Sequence, residues 1–144
     1  MRYRLSAALA ALFSLALLGA TRGTPAAESQ QSAAQTHTVT ILFMCEGTRS
    51  VSPWEQHIRQ GDDVNWVLDT ASDVNEFEIV KKRALQRWIF DNGQPARGRR
   101  GDPARGRNMR QNARGTHAYN IEAMCPGPGN SMRKAVIDPD IIVD

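Results

Sequence analysis

Histidine and cysteine are scarce in this sequence, which has three histidines and two cysteines among 144 residues. The cysteines are not in Cys-x-x-Cys spacing and neither is next to a histidine, so the common patterns of redox pairs and thiolate ligands are missing. No nucleophile and base are paired around the histidines, which are His37, His57 and His117. We therefore predict that the protein is not an enzyme and assign no catalytic, cofactor-binding or metal-ligating residue.

Two further signals are missing. Arginine and glycine alternate at 97–101 and 105–107, but these runs follow no predicted strand and open no predicted helix, so they are not phosphate-binding glycine loops. After the first 20 residues, no segment is apolar enough to cross a bilayer. The mature chain is therefore predicted to have no membrane span.

Residues 1–26 have the layout of a secretory signal peptide. Arg2 and Arg4 precede an apolar run at 5–20, which is short for a bilayer span of roughly 20 residues. Small and polar residues follow, with candidate cleavage sites near Ala20 and Ala26. We expect a cleaved signal, its exact site open, and a periplasmic or secreted protein. An uncleaved anchor or a lipoprotein is the alternative, but no cysteine follows the apolar run to accept a lipid.

Charge is distributed unevenly along the mature chain. Without Arg2, Arg4 and Arg22, 15 basic residues face 15 acidic ones. Residues 97–114 nevertheless contain seven arginines and one acid, Asp102, and therefore carry a charge of +6. Glycine content and length predict a loop at 91–115. This loop is either solvated or an anion-binding arm, and the acidic remainder of the domain competes for its arginines, Arg97, Arg99, Arg100, Arg105, Arg107, Arg110 and Arg114.

Short apolar or alternating runs separated by turn signals predict an all-β fold. A flexible leader is expected at 27–36 and a single domain at 37–144. One or two helical turns are allowed only at 81–88. The predicted strands are 38–44, 54–58, 64–68, 74–80, 87–90, 117–124 and 135–143.

Two of these strands carry a resemblance to a known family. The run Gly-Asp-Asp-Val-Asn-Trp-Val at 61–67 resembles the Gly-Asp turn and Val-x-Trp strand of cupredoxins, and Gly-Thr-His-Ala-Tyr-Asn-Ile at 115–121 resembles their Gly-Thr-Tyr strand. The resemblance covers most of the mature domain. It implies a Greek-key β-sandwich of cupredoxin type.

The copper ligands of that family are not matched. Cupredoxins that transfer electrons hold copper by two histidines, a cysteine thiolate and a weak axial methionine. Here Asn75 stands where the first histidine is expected. Either Ile121 or Cys125 takes the cysteine position, and in the second register Pro128 takes that of the other histidine. Only Met132 is retained.

The cysteines themselves, Cys45 and Cys125, are predicted to form a disulfide, because two cysteines in an exported domain are most simply read as a pair. A redox pair or a thiolate ligand is the alternative. Together these observations predict a non-catalytic binding or accessory module without type 1 copper. Its partner would be an unknown protein or an anionic envelope component, and nucleic acid is not expected.

The second hypothesis is a copper-handling or electron-transfer protein with displaced ligands. Thioethers suit Cu(I), so copper stays the alternative cofactor. The candidate soft ligands are Met44, Met109, Met124 and Met132, with His117.

Overall fold

A computed structural model of the protein describes residues 33–94 and 96–144. These residues form an all-β sandwich of ten strands in two mixed sheets, with a single short 3-10 helix at Pro128–Asn130. Within these ranges no helix could cross a membrane. The expected signal at 1–26 and most of the expected leader lie outside the described residues. The strands are β1 (Thr36–Phe43), β2 (Arg49–Ser52), β3 (Glu55–Ile58), β4 (Asp63–Leu68), β5 (Glu76–Lys81), β6 (Ala96–Arg99), β7 (Ala104–Gly106), β8 (Gly115–Pro126), β9 (Met132–Ile137) and β10 (Asp140–Val143).

The first sheet has the strand order β2-β1-β4-β7. β1 and β4 pair in parallel, with Val39 opposite Trp66, and both strands alternate buried and more exposed positions. In β4 the buried side is formed by Val64, Trp66 and Leu68. The period of two places one face of this sheet against the core and the other in solvent.

The second sheet has the order β3-β10-β8-β5-β6, and β9 pairs with the C-terminal half of β8. β9 and β10 were expected as one strand at 135–143. They share one antiparallel register along β8, but Pro139 has no N–H to donate and separates them. Its carbonyl still accepts the Tyr119 N–H at 3.2 Å.

Aromatic side chains fill the space between the two sheets. Trp66 of β4 and Tyr119 of β8 are both buried, and the indole N–H donates to the phenol oxygen at 3.1 Å. Phe90 packs edge-on against Trp66, with the ring centroids 5.6 Å apart. One continuous hydrophobic core therefore joins both sheets.

Three local features differ from what the sequence predicted. Residues 87–90 form no strand, since Phe90 makes only an isolated bridge to Met109. The allowed helical turns at 81–88 are a hydrogen-bonded turn instead. β2 was not predicted, because its residues Arg49 to Ser52 contain a single buried position, Val51.

The segment at 91–115 is not a continuous loop, because β6 and β7 lie within it. Alternation explains the error: Gly98 and Gly106 face the core while the arginines beside them face solvent. A Cβ at Gly106 would lie 2.7 Å from the ring of Phe90, and one at Gly98 would collide with Phe77. These glycines allow close packing, whereas the sequence analysis took them as a source of flexibility.

The domain also begins earlier than predicted. Residues 35 and 36 were placed in the flexible leader, but Thr36 opens β1 and pairs with Asp63. The Gln35 N–H donates to the Asp62 carboxylate at 2.9 Å, and the Gln35 carbonyl accepts the Asp63 N–H. Ordered hydrogen bonding thus starts at Gln35.

Candidate functional site

Cys125, the candidate thiolate ligand, is bonded to Cys45. The bond links the end of β8 to the residues that follow β1, and both cysteines are buried. The predicted disulfide is therefore confirmed. Both cysteines of the sequence are consumed by it, so no thiolate is left for a metal.

Asn75, the counterpart of the first histidine, is engaged by Arg100. The Arg100 backbone N–H donates to the Asn75 carbonyl at 2.9 Å, and its Nε lies 3.4 Å from the Asn75 side-chain oxygen. The same guanidinium donates to the carbonyls of Thr70, Ser72 and Val74. Arg100 thus fixes the chain that leads into β5.

The residues present do not fit a type 1 copper site. Cys125 is oxidised, Pro128 offers no side-chain donor, and Ile121 is a fully buried core residue. Thiolate and imidazole are the ligands on which such a site depends. Within 33–94 and 96–144 no three His, Cys, Asp or Glu side chains form a group suited to a metal ion.

The candidate soft ligands are mostly far apart in the fold. Met109 is fully buried beside Phe90, and His117 lies in a cleft at the start of β8. Met124 and Met132 alone share a depression, whose volume is about 620 Å³ and which Asn75 also lines. Met44 directly follows β1 and does not line this depression, so of the five candidates Met124 and Met132 share it.

This depression belongs to a larger surface that we call the open face, the solvent side of β6, β5, β8 and β9. Three apolar side chains are exposed on it: Met124 of β8 by 50%, and Met132 and Val136 of the edge strand β9 by 57% and 41%. Charged side chains lie between and beside them and form two cross-strand ion pairs; Lys134 is opposite Met124 and lies between Met132 and Val136 on β9. The residues of the open face are Glu76, Glu78, Arg97, Arg99, Glu122, Met124, Met132, Lys134 and Val136.

The charged side chains of the open face are paired internally. Arg97 lies 2.7 Å from Glu78, and the Lys134 Nζ lies 2.8 Å from Glu122. The Glu122 carboxylate raises the pKa of Lys134 by accepting this hydrogen bond and by its negative charge. The charges of these acidic and basic side chains therefore largely cancel one another.

Most arginines of the 97–114 segment also have partners within the domain. Arg99 and Arg105 flank Asp102, with N···O distances of 3.8 and 3.5 Å. Arg107 pairs with Asp63, and Arg110 lies 3.4 Å from Asp91. Asp102 of the segment itself and acids elsewhere in the domain thus pair with these arginines, and anion binding by them stays a prediction.

Arg114 is the exception among the seven arginines. Its side chain has no ion-pair or hydrogen-bond partner within the described part of the chain, while its carbonyl accepts a hydrogen bond from the His117 Nε2 at 3.1 Å. His117 lines a cleft of about 740 Å³ together with residues 83–86. This cleft borders a second basic region, which was not predicted from the sequence.

That second region is the turn at residues 81–87, which we call the basic turn. It contains Lys81, Lys82, Arg83 and Arg87 with no acidic residue, and Leu85 at its tip is fully exposed. The signal was visible in the sequence as four cations around one leucine. It was overlooked because the larger arginine cluster at 97–114 dominated the charge pattern.

The other two histidines have structural partners. His37 Nε2 lies 2.8 Å from the buried Asp62, and His57 lies 3.4 Å from the exposed Asp144. Burial raises the pKa of Asp62, but hydrogen bonds from the N–H groups of Gln35 and Arg59 and from His37 outweigh it and lower the pKa overall. These contacts tie the start of β1 to the turn before β4.

No protein-family model matches this chain, and no curated protein matches it.

Proposed function

We propose that this protein is a non-catalytic, exported binding module of cupredoxin type, without type 1 copper, that contacts a partner protein through the open face. The observation that carries the first part of the proposal is the state of Cys125. Its sulfur is covalently committed to Cys45, so the ligand on which blue-copper chemistry depends is not available.

The placement of the two resembling motifs supports the cupredoxin assignment. The Val-x-Trp motif lies on β4, which is central in the first sheet, and the Gly-Thr motif lies on β8, which is central in the second. Trp66 and Tyr119, one from each motif, meet across the core. Both motifs therefore serve the same packing unit, as a sandwich of that type requires.

The composition of the open face supports a protein partner. Stable interfaces combine exposed apolar side chains with polar ones, and methionine is enriched in them because its flexible thioether adapts to different surfaces. Met124, Met132 and Val136 provide exposed apolar area towards the β9 edge of the open face. The Glu, Arg and Lys side chains between and beside them provide polar contacts and limit non-specific association.

Copper handling remains the second candidate, and one observation favours it. Met124 and Met132 line the same depression, and two thioethers are a plausible start of a Cu(I) site. The disulfide-bonded Cys125 and the distant His117 contribute nothing to it. A Cu(I) titration of the purified chain distinguishes this role from a purely protein-binding one.

The proposal is tested by comparing three forms of the exported protein. The partner that co-purifies from the native envelope with wild-type protein is identified and its binding is then measured with purified components. A double variant, M124D/M132D, should lose this binding, since two charges would be buried at the centre of the interface. The matched control is V67D, on the exposed side of β4 in the other sheet, which should retain it.

Two results would overturn the proposal. If the double variant bound the partner as well as wild type does, the open face would not be the contact surface. If the wild-type protein bound one copper tightly with strong visible absorption, the protein would be a copper protein and not a metal-free module.

A further inference from the structure

Leu85 is displayed at the tip of the basic turn. Its side chain is fully exposed, the highest value among the exposed large hydrophobic residues of the described chain. Leu85 occupies the third position of a turn closed by a hydrogen bond of 3.0 Å from the Gln86 N–H to the Arg83 carbonyl. The apolar side chain is therefore held away from the body of the domain.

The turn is anchored on both sides. Lys82 pairs with Asp138, the Gln86 side chain donates to the Ala118 carbonyl at 3.1 Å, and Trp88 packs against Phe90 in the core. These contacts thus hold the turn that carries Leu85 in place. An interaction made through it would require little additional ordering of the chain.

Positively charged residues flank the exposed leucine along the chain. Lys81, Arg83 and Arg87 make no ion pair with any residue in the described ranges. No acidic side chain lines the neighbouring cleft, which is formed by residues 83–86 and 116–118. This contrasts with the 97–114 segment, where most arginines are neutralised within the domain.

From these observations we propose that the basic turn is a docking site for the surface of an anionic phospholipid bilayer. Leu85 enters the boundary between headgroups and acyl chains, while Lys81, Arg83 and Arg87 contact lipid phosphates. An exposed apolar side chain among basic residues is the arrangement that binds such a surface, because burial of the apolar group and attraction to anionic lipid act together. This surface is distinct from the open face.

The expected affinity is modest and reversible. Each cation near an anionic surface strengthens binding about five-fold, and burial of one leucine adds about ten-fold. Loss of either contribution should therefore be measurable, and the cationic part should weaken as salt screens the charges.

Vesicle co-sedimentation tests the proposal with protein purified after export. Wild-type protein should bind vesicles of phosphatidylcholine with one-third phosphatidylglycerol and should not bind pure phosphatidylcholine. L85N should bind about ten-fold more weakly, and because Leu85 is fully exposed the substitution leaves the core untouched. The triple variant K81Q/R83Q/R87Q should bind about 100-fold more weakly and show a reduced dependence on salt.

The matched control is R97Q/R99Q/R105Q, which removes the same net charge from arginines that are paired with Glu78 and Asp102. It should bind nearly as well as wild type. Equal losses in both triple variants would show that net charge alone drives binding and would overturn the proposal. Failure of the wild-type protein to bind the phosphatidylglycerol vesicles would also overturn the proposal, even if the protein bound lipopolysaccharide or an acidic protein.

Discussion

Trp66 donates its indole N–H to the phenol oxygen of Tyr119 at 3.1 Å, and this hydrogen bond crosses the core from one sheet to the other. Both side chains are almost completely buried, so neither polar group can turn to water. The Tyr119 oxygen gives the Trp66 N–H an acceptor, as a buried donor in an apolar interior requires. The pair fixes the position of β4 relative to β8.

Replacing Tyr119 by phenylalanine should lower the free energy of unfolding by about 1–3 kcal/mol. The ring is retained, but the Trp66 N–H loses its acceptor inside the core. Chemical denaturation followed by tryptophan fluorescence measures the change. Equal stability of Y119F and wild type would mean that the hydrogen bond contributes nothing net to folding.

Tyr119 should resist ionisation at high pH. Burial is the main cause that raises its pKa; the hydrogen bond from Trp66 opposes the rise and the charge of Asp140 adds to it. The unfolded chain loses this proton near pH 10 while the folded one keeps it, so the stabilising effect is complete below about pH 10 and is lost as the pH rises further. Ultraviolet absorbance of phenolate should therefore appear together with unfolding. Phenolate formation near pH 10 in the folded protein would contradict this.

Asp62 should contribute stability that disappears in acid. Its folded-state pKa is lowered on balance by the hydrogen bonds from Gln35, Arg59 and His37. Because the unfolded chain takes up the proton first, the contribution is present above about pH 4 and falls as the pH drops below that value. The free energy of unfolding of D62N should be about 1–3 kcal/mol lower than that of wild type at neutral pH, and it should fall less in acid.

The matched control for this experiment is D102N. Asp102 is half exposed and faces Arg99 and Arg105 at 3.8 and 3.5 Å, so its ion pairs contribute less than about 1 kcal/mol. Comparable losses in D62N and D102N would show that the buried hydrogen bonds of Asp62 have no special weight.

The disulfide should be present and stabilising in exported protein. Thiol counting under denaturing, non-reducing conditions should find no free cysteine. A sequence separation of 80 residues corresponds to about 4.5 kcal/mol in the chain-entropy treatment, and measured values for single bonds are commonly about 2–4 kcal/mol. The C45A/C125A variant should be destabilised accordingly, and two reactive thiols in the exported wild type would refute the pairing.

Arg100 and Arg99 are neighbours in the sequence, but their substitutions should change stability to very different extents. R100Q should cost about 1–3 kcal/mol of unfolding free energy, because the carbonyls of Thr70, Ser72 and Val74 lose their shared donor. R99Q should change stability by less than about 0.5 kcal/mol, since its side chain is exposed and only loosely paired with Asp102. Thermal denaturation of both variants decides this. Similar effects would mean that Arg100 does not hold the 70–75 chain.

The sequence was sufficient for the all-β class because alternation is strong where strands face the core. Val64, Trp66 and Leu68 predicted β4, and the run at 117–124 predicted most of β8. The disulfide followed from cysteine count and compartment. These features depend on local pattern or on composition, which a single sequence reports directly.

The other features of the fold and of the candidate site depend on contacts between residues that are distant in the sequence. The need for glycine at Gly106 comes from Phe90, which is distant along the chain and adjacent only in the fold. Which arginines are neutralised depends on acids such as Glu78 and Asp63 on other strands. The role of the arginine segment therefore could not be judged from its charge alone.

The parallel pairing of β10 with β3 has a consequence for how the protein folds. Glu55 pairs with Asp140, so the edge strand β3 stays unpaired until β10, 85 residues further along, is available. Sheets that close through such distant pairings fold slowly, since a large loop entropy must be overcome before the contact is rewarded. β10 is therefore needed to pair a strand made much earlier, and a chain interrupted before β10 would leave β3 without its partner and open to pairing with other chains.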